Sequence, residues 1–376
     1  MAEGEYSKTA EKTLFLASVP HVAPASHGGH FLSYSWDGEV RRQRIGPSGV
    51  TVGRQVGCDI VFPVAQVSRE HCRFRLEVDG GVTILDLFST NGTFVGDLRV
   101  EGPTRLATGD HVAVGDFVLR YEWRDEHEVE EETRLTRELR EGADYVRAIL
   151  PPPISEGPVQ AEWWYAPSSE LGGDAFGYQF LDETTFTGFL IDVSGHGVGA
   201  ALLAANVANV LRRHALVGVD FRDPAQVAAG LNAMFPMEEH GGLLLTLWCF
   251  TYDVESRTLR FCSAGHHPAL LVAPAIPEPA PIWRRGPSIG MLPAPHWEVG
   301  AVLIEPGSRL YIFSDGAFEI LDQSGRQRDL EHLRQIIRDG ARTGEWKARW
   351  LYDSVRATAR PGPLEDDFSV LVLNFQ

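Results

Sequence analysis

FTGFLIDVSGHG, residues 186–197, is an apolar run ending in Asp192, followed by a glycine-rich turn. Directly after it comes VGAALLAANVANVLRRHAL, residues 198–216, apolar on nearly every side and so expected as a buried helix. A strand that ends in an acid and hands over to a buried helix is an unusual junction, because a carboxylate at such a place needs a partner. Three further acidic motifs stand in similar settings: Asp174 in GGDAFG, Asp315 in FSDGAFE, and the doublet Asp366-Asp367 in EDDFSVLVL. Glycine next to Asp174 and Asp315, and three residues after Asp192, lets the chain turn sharply and a ligand approach closely. Carboxylates collected at strand ends supply the hard oxygen ligands that suit Mg2+ or Mn2+, whereas zinc would call for His and Cys. Each motif alone is most often only a turn; their conjunction carries the reading. No Cys-x5-Arg segment competes with it, and the single GxSxG, GPSIG at residues 286–290, runs into the proline-containing MLPAP rather than the helix a nucleophile elbow needs.

Around this core of motifs, residues 154–376 mix strands (EWWYAP, TTFTGFLIDV, LLLTLWCFTYDV, TLRFCSAG, RLYIFSDG, FSVLVLNF) with helices expected over 224–234, 328–340 and 345–358. The proline-rich AIPEPAPIW, residues 275–283, reads as a loop. Upstream, DEHEVEEETRLTRELRE (residues 125–141) begins an acidic linker and helix, assigned to 124–153. Leu135, Leu139, Ala143, Val146 and Leu150 form one apolar stripe, and Pro151-Pro152-Pro153 stops it. That stripe suits a helix packed on its neighbour; a homodimer through a short coiled coil is the sharper alternative.

Residues 29–123 are a series of short alternating segments broken by Gly, Asp and Asn, the pattern of an all-β sandwich. Three loops in it carry phosphate-binding chemistry: Gly53-Arg54, Ser68-Arg69-Glu70-His71, and Ser89-Thr90-Asn91-Gly92-Thr93. Arginine offers a fork of donors suited to phosphate, and Ser, Thr and Asn add small donors. Residues 1–28 read as a flexible tail.

The whole chain has 376 residues, 44% hydrophobic and 23% charged, with a net charge of −17. Such an acidic balance argues against nonspecific binding to nucleic acid or anionic membrane. The apolar run of residues 14–19 is too short to span a bilayer. Cys58, Cys72, Cys249 and Cys262 form no CxxC pair, as expected for free thiols in a reducing compartment. A cytoplasmic protein is the expectation.

Taken in order, GR, SRxH and STNGT resemble the forkhead-associated (FHA) domain. That resemblance implies recognition of a phosphothreonine protein, with Arg54 and Ser68 on the phosphate, Thr90 and Arg69 assisting, and Asn91 on the peptide backbone; His71 and Gly92 would fix the loops. AILPPP, SELGGD, DVSGHG, SAGHHP, PSIG, FSDGAFE and EDDFSV, also in order, resemble the bacterial serine phosphatases of the PPM superfamily, in the sporulation and stress-regulator (SpoIIE/RsbU-like) branch. This implies a multidomain protein, the all-β sandwich followed by an α-β-β-α sandwich of α+β class. It also implies two divalent cations, Mn2+ or Mg2+, held by Asp174, Asp192, the Val193 carbonyl, Asp315 and Asp366, with Asp192 bridging and Asp367 in support. His196 would be the general acid, and His266 and His267 structural. Ser169 departs from the family, standing where many members have Arg or Lys. The branch resemblance suggests a phosphoserine or phosphothreonine protein as substrate, such as an anti-sigma-factor antagonist, with the linker helix as a regulatory element. A phospho-dependent scaffold with an inert phosphatase-like domain is the alternative.

Overall fold

A computed structural model describes residues 28–36, 39–195 and 197–376, leaving the expected tail almost entirely outside. The chain divides into two compact units, with the boundary between Thr133 and Arg134 inside the helix Glu126–Ala148 (α1).

The first unit is a β-sandwich. One sheet has six strands and is built around Gly28–Trp36 and Phe117–Asp125, which pair antiparallel from Gly28↔Asp125 to Tyr34↔Leu119. The other has five strands, with Val50–Gly53, Cys72–Leu76 and Val82–Asp86 at its centre. Alternation along these strands sends Val50, Val52, Phe74, Val82 and Ile84 inward to meet Leu32, Val112 and Leu119 from the facing sheet. Phe62 stacks on Phe117 at 4.1 Å between ring centroids.

The second unit has four layers. One sheet runs in the order Val159–Ala166, Phe368–Phe375, Arg309–Phe313, Ala269–Ala273, Ile276–Ile282; the other runs Asp174–Phe180, Thr185–Val193, Leu245–Asp253, Thr258–Ala264, Gly300–Leu303. Every pairing in both is antiparallel. Phe176, Leu190, Trp248, Phe250, Leu371 and Leu373 fill the space between the sheets. Val198–Arg212 (α2) and Pro224–Met234 (α3) cover the outer face of one sheet, and Leu330–Thr343 (α4) and Ala348–Thr358 (α5) cover that of the other. This is the α-β-β-α sandwich. Strand FSVLVLNF is buried on both faces, which is why it reads as a continuous apolar run rather than an alternating one.

Two expectations need correction. Residues 275–283 are largely strand, not loop: Ile276–Ile282 pairs with Ala269–Ala273 at the sheet's edge. Pro277, Pro279 and Pro281 alternate, so the missing N–H groups fall on the side that has no partner strand, the one setting where a sheet accepts proline. Glu278 on this strand is gripped by Arg338 of α4, at 2.5 Å, and by Arg334, at 3.1 Å. Second, the apolar stripe is only partly a packing face. Leu139, Ala143 and Val146 of α1 pack with Leu171, Ala201 and Ala205, but Leu135 is 55% exposed and Leu150 lies past the helix end in the core between the sheets. Among the described residues no helix is long and apolar enough to cross a membrane.

Candidate functional site

Asp174 opens one strand and Asp192 sits one residue from the end of its antiparallel neighbour, so the two are direct partners in the register. The close approach rests on Gly173: a Cβ there would come within 2.5 Å of the Val193 carbonyl oxygen, which therefore stands against the same turn. Asp315 follows the strand Arg309–Phe313, and Asp366 and Asp367 precede its neighbour Phe368–Phe375. The two sheets thus each deliver acids at one end of the sandwich.

The charges of these acids act on one another. Asp174 is 2% exposed. Burial, then the charges of Asp192 and Asp367, push its carboxyl well above the usual carboxylate range. Asp192 is pushed up to about 8, first by burial and then by Asp315, Asp366 and Asp367. Asp315 rises to about 6 through burial, Asp366 and Glu319. Asp192 is the common member, feeling Asp174 on one side and Asp315 and Asp366 on the other.

Asp367 is different. Its Oδ1 accepts from the Ser168 N–H at 2.7 Å and the Ser168 hydroxyl at 3.0 Å, and its Oδ2 accepts from the Gly173 N–H at 2.6 Å. Both oxygens are committed to holding the loop 168–173, a structural duty that ties Asp174 to the far sheet. Nearby, Ser314 Oγ donates to the Asp367 carbonyl at 2.8 Å and accepts from the Ser369 N–H at 2.9 Å, locking the turn that carries Asp315.

Whether these residues suit a divalent cation can be judged from Asp174. Its Oδ2 is buried with no hydrogen-bond partner, a state that costs free energy unless something else satisfies it. The side-chain donor set is all carboxylate and mutually repulsive, and a cation offsets both penalties. Among the described residues no three His, Cys, Asp or Glu side chains already enclose one point. Mg2+ keeps several waters and needs only one or two carboxylates, so the set fits.

His196 lies outside the described residues. His266 is buried and His267 is half-buried. Burial pulls His266 down to about 4 and His267 well below the usual imidazole range, which keeps both neutral; His267 stacks on Phe313 at 4.7 Å, and the Nε2 atoms of both rings are buried with no hydrogen-bond partner among the described residues. Along the chain no arginine lies between Arg147 and Arg212, on either side of Asp174. The fold brings Arg140 and Arg147 of α1 to a cleft of about 250 Å3 that they line with Tyr165, Ser169 and Glu170. Arg140 stands 3.7 Å from Glu170. The signal was present: the two arginines are seven residues apart, two helical turns on one face.

In the first unit the three loops meet at Ser68. Its carbonyl accepts from the Arg54 N–H at 2.9 Å, and its hydroxyl accepts from the Thr90 N–H at 3.0 Å. Buried His71 clasps the arrangement from beneath, Nδ1 accepting from the Ser68 N–H at 3.1 Å and Nε2 lying 3.1 Å from the Gly92 carbonyl. Gly92 has φ +81, which explains its place in the turn. Asn91 Nδ2 donates to the Gln66 carbonyl at 2.8 Å. The exposed Arg54 and Arg69 guanidinium groups have no ion-pair partner among the described residues. All five expected binding residues are at one end of the sandwich.

Comparisons with known proteins find a family match in each of the two units. The family model described as stage II sporulation protein E (SpoIIE) matches residues 182–376, and that of the FHA domain matches residues 50–115. Phosphoserine phosphatase RsbP of Bacillus subtilis (strain 168) is 26% identical over 184 residues, 49% of this chain and 45% of RsbP. Phosphoserine phosphatase RsbU of the same organism is 23% identical over 210 residues, 55% of this chain and 60% of RsbU. The chain therefore spans about half the length of these curated relatives. The SiaA-PP2C domain of Pseudomonas aeruginosa aligns with 65% of this chain and 99% of its own at a TM-score of 0.55 and 19% identity, a likeness of fold. Asp174 lies before the matched SpoIIE stretch, and its place rests on its pairing with Asp192. The chain belongs to the SpoIIE family, with a PPM-type phosphatase domain of the RsbU/SpoIIE kind and an FHA domain ahead of it.

Proposed function

We propose that the chain is a metal-dependent protein serine/threonine phosphatase that hydrolyses phosphoserine or phosphothreonine in a signalling protein, and that its FHA domain targets or regulates it through phosphothreonine. The observation that carries this is the buried, unpartnered Asp174 Oδ2 set opposite Asp192, among acids that raise one another's proton affinity. Asp174, Asp192, Asp315, Asp366 and the Val193 carbonyl would hold two Mn2+ or Mg2+ ions, with Asp192 between them. Such ions neutralise phosphoryl charge and lower the pKa of water.

The chain's own contribution is placement. Phosphoryl transfer needs little covalent chemistry from protein side chains, and positioning and charge do most of the work. Asp367 fixes the loop 168–173 and, through Gly173, the start of the Asp174 strand. Ser314 fixes the Asp315 turn. His196 is proposed to hand a proton to the departing serine or threonine oxygen.

In the FHA domain, Arg54 and Ser68 would grip the phosphate, Thr90 and Arg69 would assist, and Asn91 would hold the peptide backbone. The free Arg54 guanidinium beside a pre-assembled Ser68–Thr90 junction supports this. Names of the relatives, phosphoserine phosphatases both, support a phosphoserine substrate; an anti-sigma-factor antagonist is the kind of protein we propose. The test is a phosphoproteome of the native host with the wild-type protein or its Asp192→Ala variant. A small set of phosphoserine or phosphothreonine sites should rise in the variant; identical phosphoproteomes would rule the reading out.

A further inference from the structure

Phe88 is an aromatic residue in the left-handed backbone region, at φ +58. A bulky side chain pays for that conformation, which glycine adopts freely. The surroundings leave it no choice. On one side the Leu87 N–H donates to the His71 carbonyl at 2.9 Å. On the other, the Ser89 N–H and hydroxyl donate to the Asp86 carboxylate at 3.0 and 2.6 Å, and the Thr93 hydroxyl donates to the same group at 2.6 Å. With both neighbours pinned, the phenyl ring projects wholly into solvent, at 102% exposure.

A singly exposed apolar residue is ordinary on a protein surface. What separates Phe88 is strain and full exposure together, in the loop whose next residues form the phosphopeptide end of the sandwich. Strain of this kind persists where the structure over-determines it, and it gathers at ligand clamps. Phe88 stands two residues before Thr90, whose N–H is bonded to Ser68; Arg54 is bonded to the same Ser68. Across that junction Val56, two residues past Arg54, is 92% exposed. Apolar side chains therefore sit on both loops that frame the phosphate grip.

We infer that Phe88 is a specificity-determining residue of the FHA domain, receiving an apolar side chain of the phosphothreonine peptide held at Arg54 and Ser68. This rests on the phosphothreonine reading above. Burial of the ring under the peptide is the gain that a strained, solvated phenyl lacks within its own chain.

The test probes the full-length protein and its Phe88→Gly variant with an oriented library of phosphothreonine peptides, alongside the same library carrying plain threonine. Glycine relieves the backbone, so the variant should fold with an unchanged or higher Tm. The wild type should enrich an apolar residue at one fixed distance from phosphothreonine. Phe88→Gly should lose that enrichment and bind the best peptide about tenfold more weakly, about 1.4 kcal/mol, while still separating phosphothreonine from threonine. The same apolar enrichment in the variant, or none in the wild type, would overturn the role of Phe88 alone. Equal binding of both libraries by the wild type, or no binding, would overturn the phosphothreonine reading and this inference with it.

Discussion

Asp174 and Asp192 face each other across two neighbouring antiparallel strands, buried and with no positive side chain set against them in the hydrogen-bond register or among their charge partners. Two acids in that relationship hold protons or a cation, and which they hold depends on pH. Asp192 at about 8 and Asp315 at about 6 both lie above the unfolded carboxylate value. The folded, metal-free protein therefore binds more protons than the unfolded chain over this range. The stability these groups contribute is complete below the unfolded value and is lost as pH rises through about 6 and about 8. In EDTA, Tm measured by scanning calorimetry should fall between pH 5 and pH 9 more steeply for the wild type than for Asp192→Asn. Mn2+ at roughly 100 times its Kd should restore about 2.7 kcal/mol at the alkaline end. Equal slopes for the two proteins would remove the carboxylate cluster as the cause.

Asp367 has a different duty from Asp366, and the doublet can be split by experiment. Asp367→Ala leaves the N–H groups of Ser168 and Gly173 without their acceptors. It should cost roughly 1–3 kcal/mol in urea unfolding. Asp366→Ala removes one acceptor, that of the Asp367 N–H at 2.8 Å, so it should cost less stability in EDTA than Asp367→Ala and should weaken Mn2+ binding by titration calorimetry. Reversed outcomes would exchange the two roles.

In the FHA domain, holding the loops and gripping the ligand belong to different residues. His71→Ala breaks a buried link between Ser68 and Gly92 and should cost roughly 1–3 kcal/mol. Arg54→Ala touches only an exposed side chain and should stay within about 0.5 kcal/mol of wild type. It should nonetheless abolish capture of phosphothreonine peptides in fluorescence anisotropy. Retained capture by Arg54→Ala would place the phosphate elsewhere.

The α1 contact offers a third separation. Val146 packs with Leu171, Ala201 and Ala205, and Leu171 belongs to the loop that Asp367 holds. Val146→Ala should cost about 1 kcal/mol and raise the Kd for Mn2+ measured by titration calorimetry. An unchanged Kd would uncouple α1 from the carboxylate site.

Much of this was legible from residue types in order. The acids, the DVSGHG junction and the GR, SRxH and STNGT loops are local patterns, and the fold gathers Asp174, Asp192, Asp315 and Asp366 as their order suggests. What escaped the sequence depends on tertiary context. Ile276–Ile282 reads as loop because three prolines forbid a central strand, and only its edge position permits one. Asp174–Phe180, Ala269–Ala273 and Gly300–Leu303 are strands whose short or glycine-containing sequences carry little periodicity. Arg140 and Arg147 reach their cleft only because α1 packs beside the loop 168–173. Phe88 looks like any loop aromatic until its backbone is seen to be left-handed.

The most direct measurement is hydrolysis of a small aryl phosphate by the full-length protein, as a function of Mn2+ concentration, for wild type, Asp192→Ala and Asp315→Ala. Saturable, Mn2+-dependent turnover by the wild type that both variants lose, at least about a hundredfold, is the predicted result. Turnover that survives in either variant, or that ignores Mn2+, would contradict a carboxylate-held metal centre as the seat of catalysis.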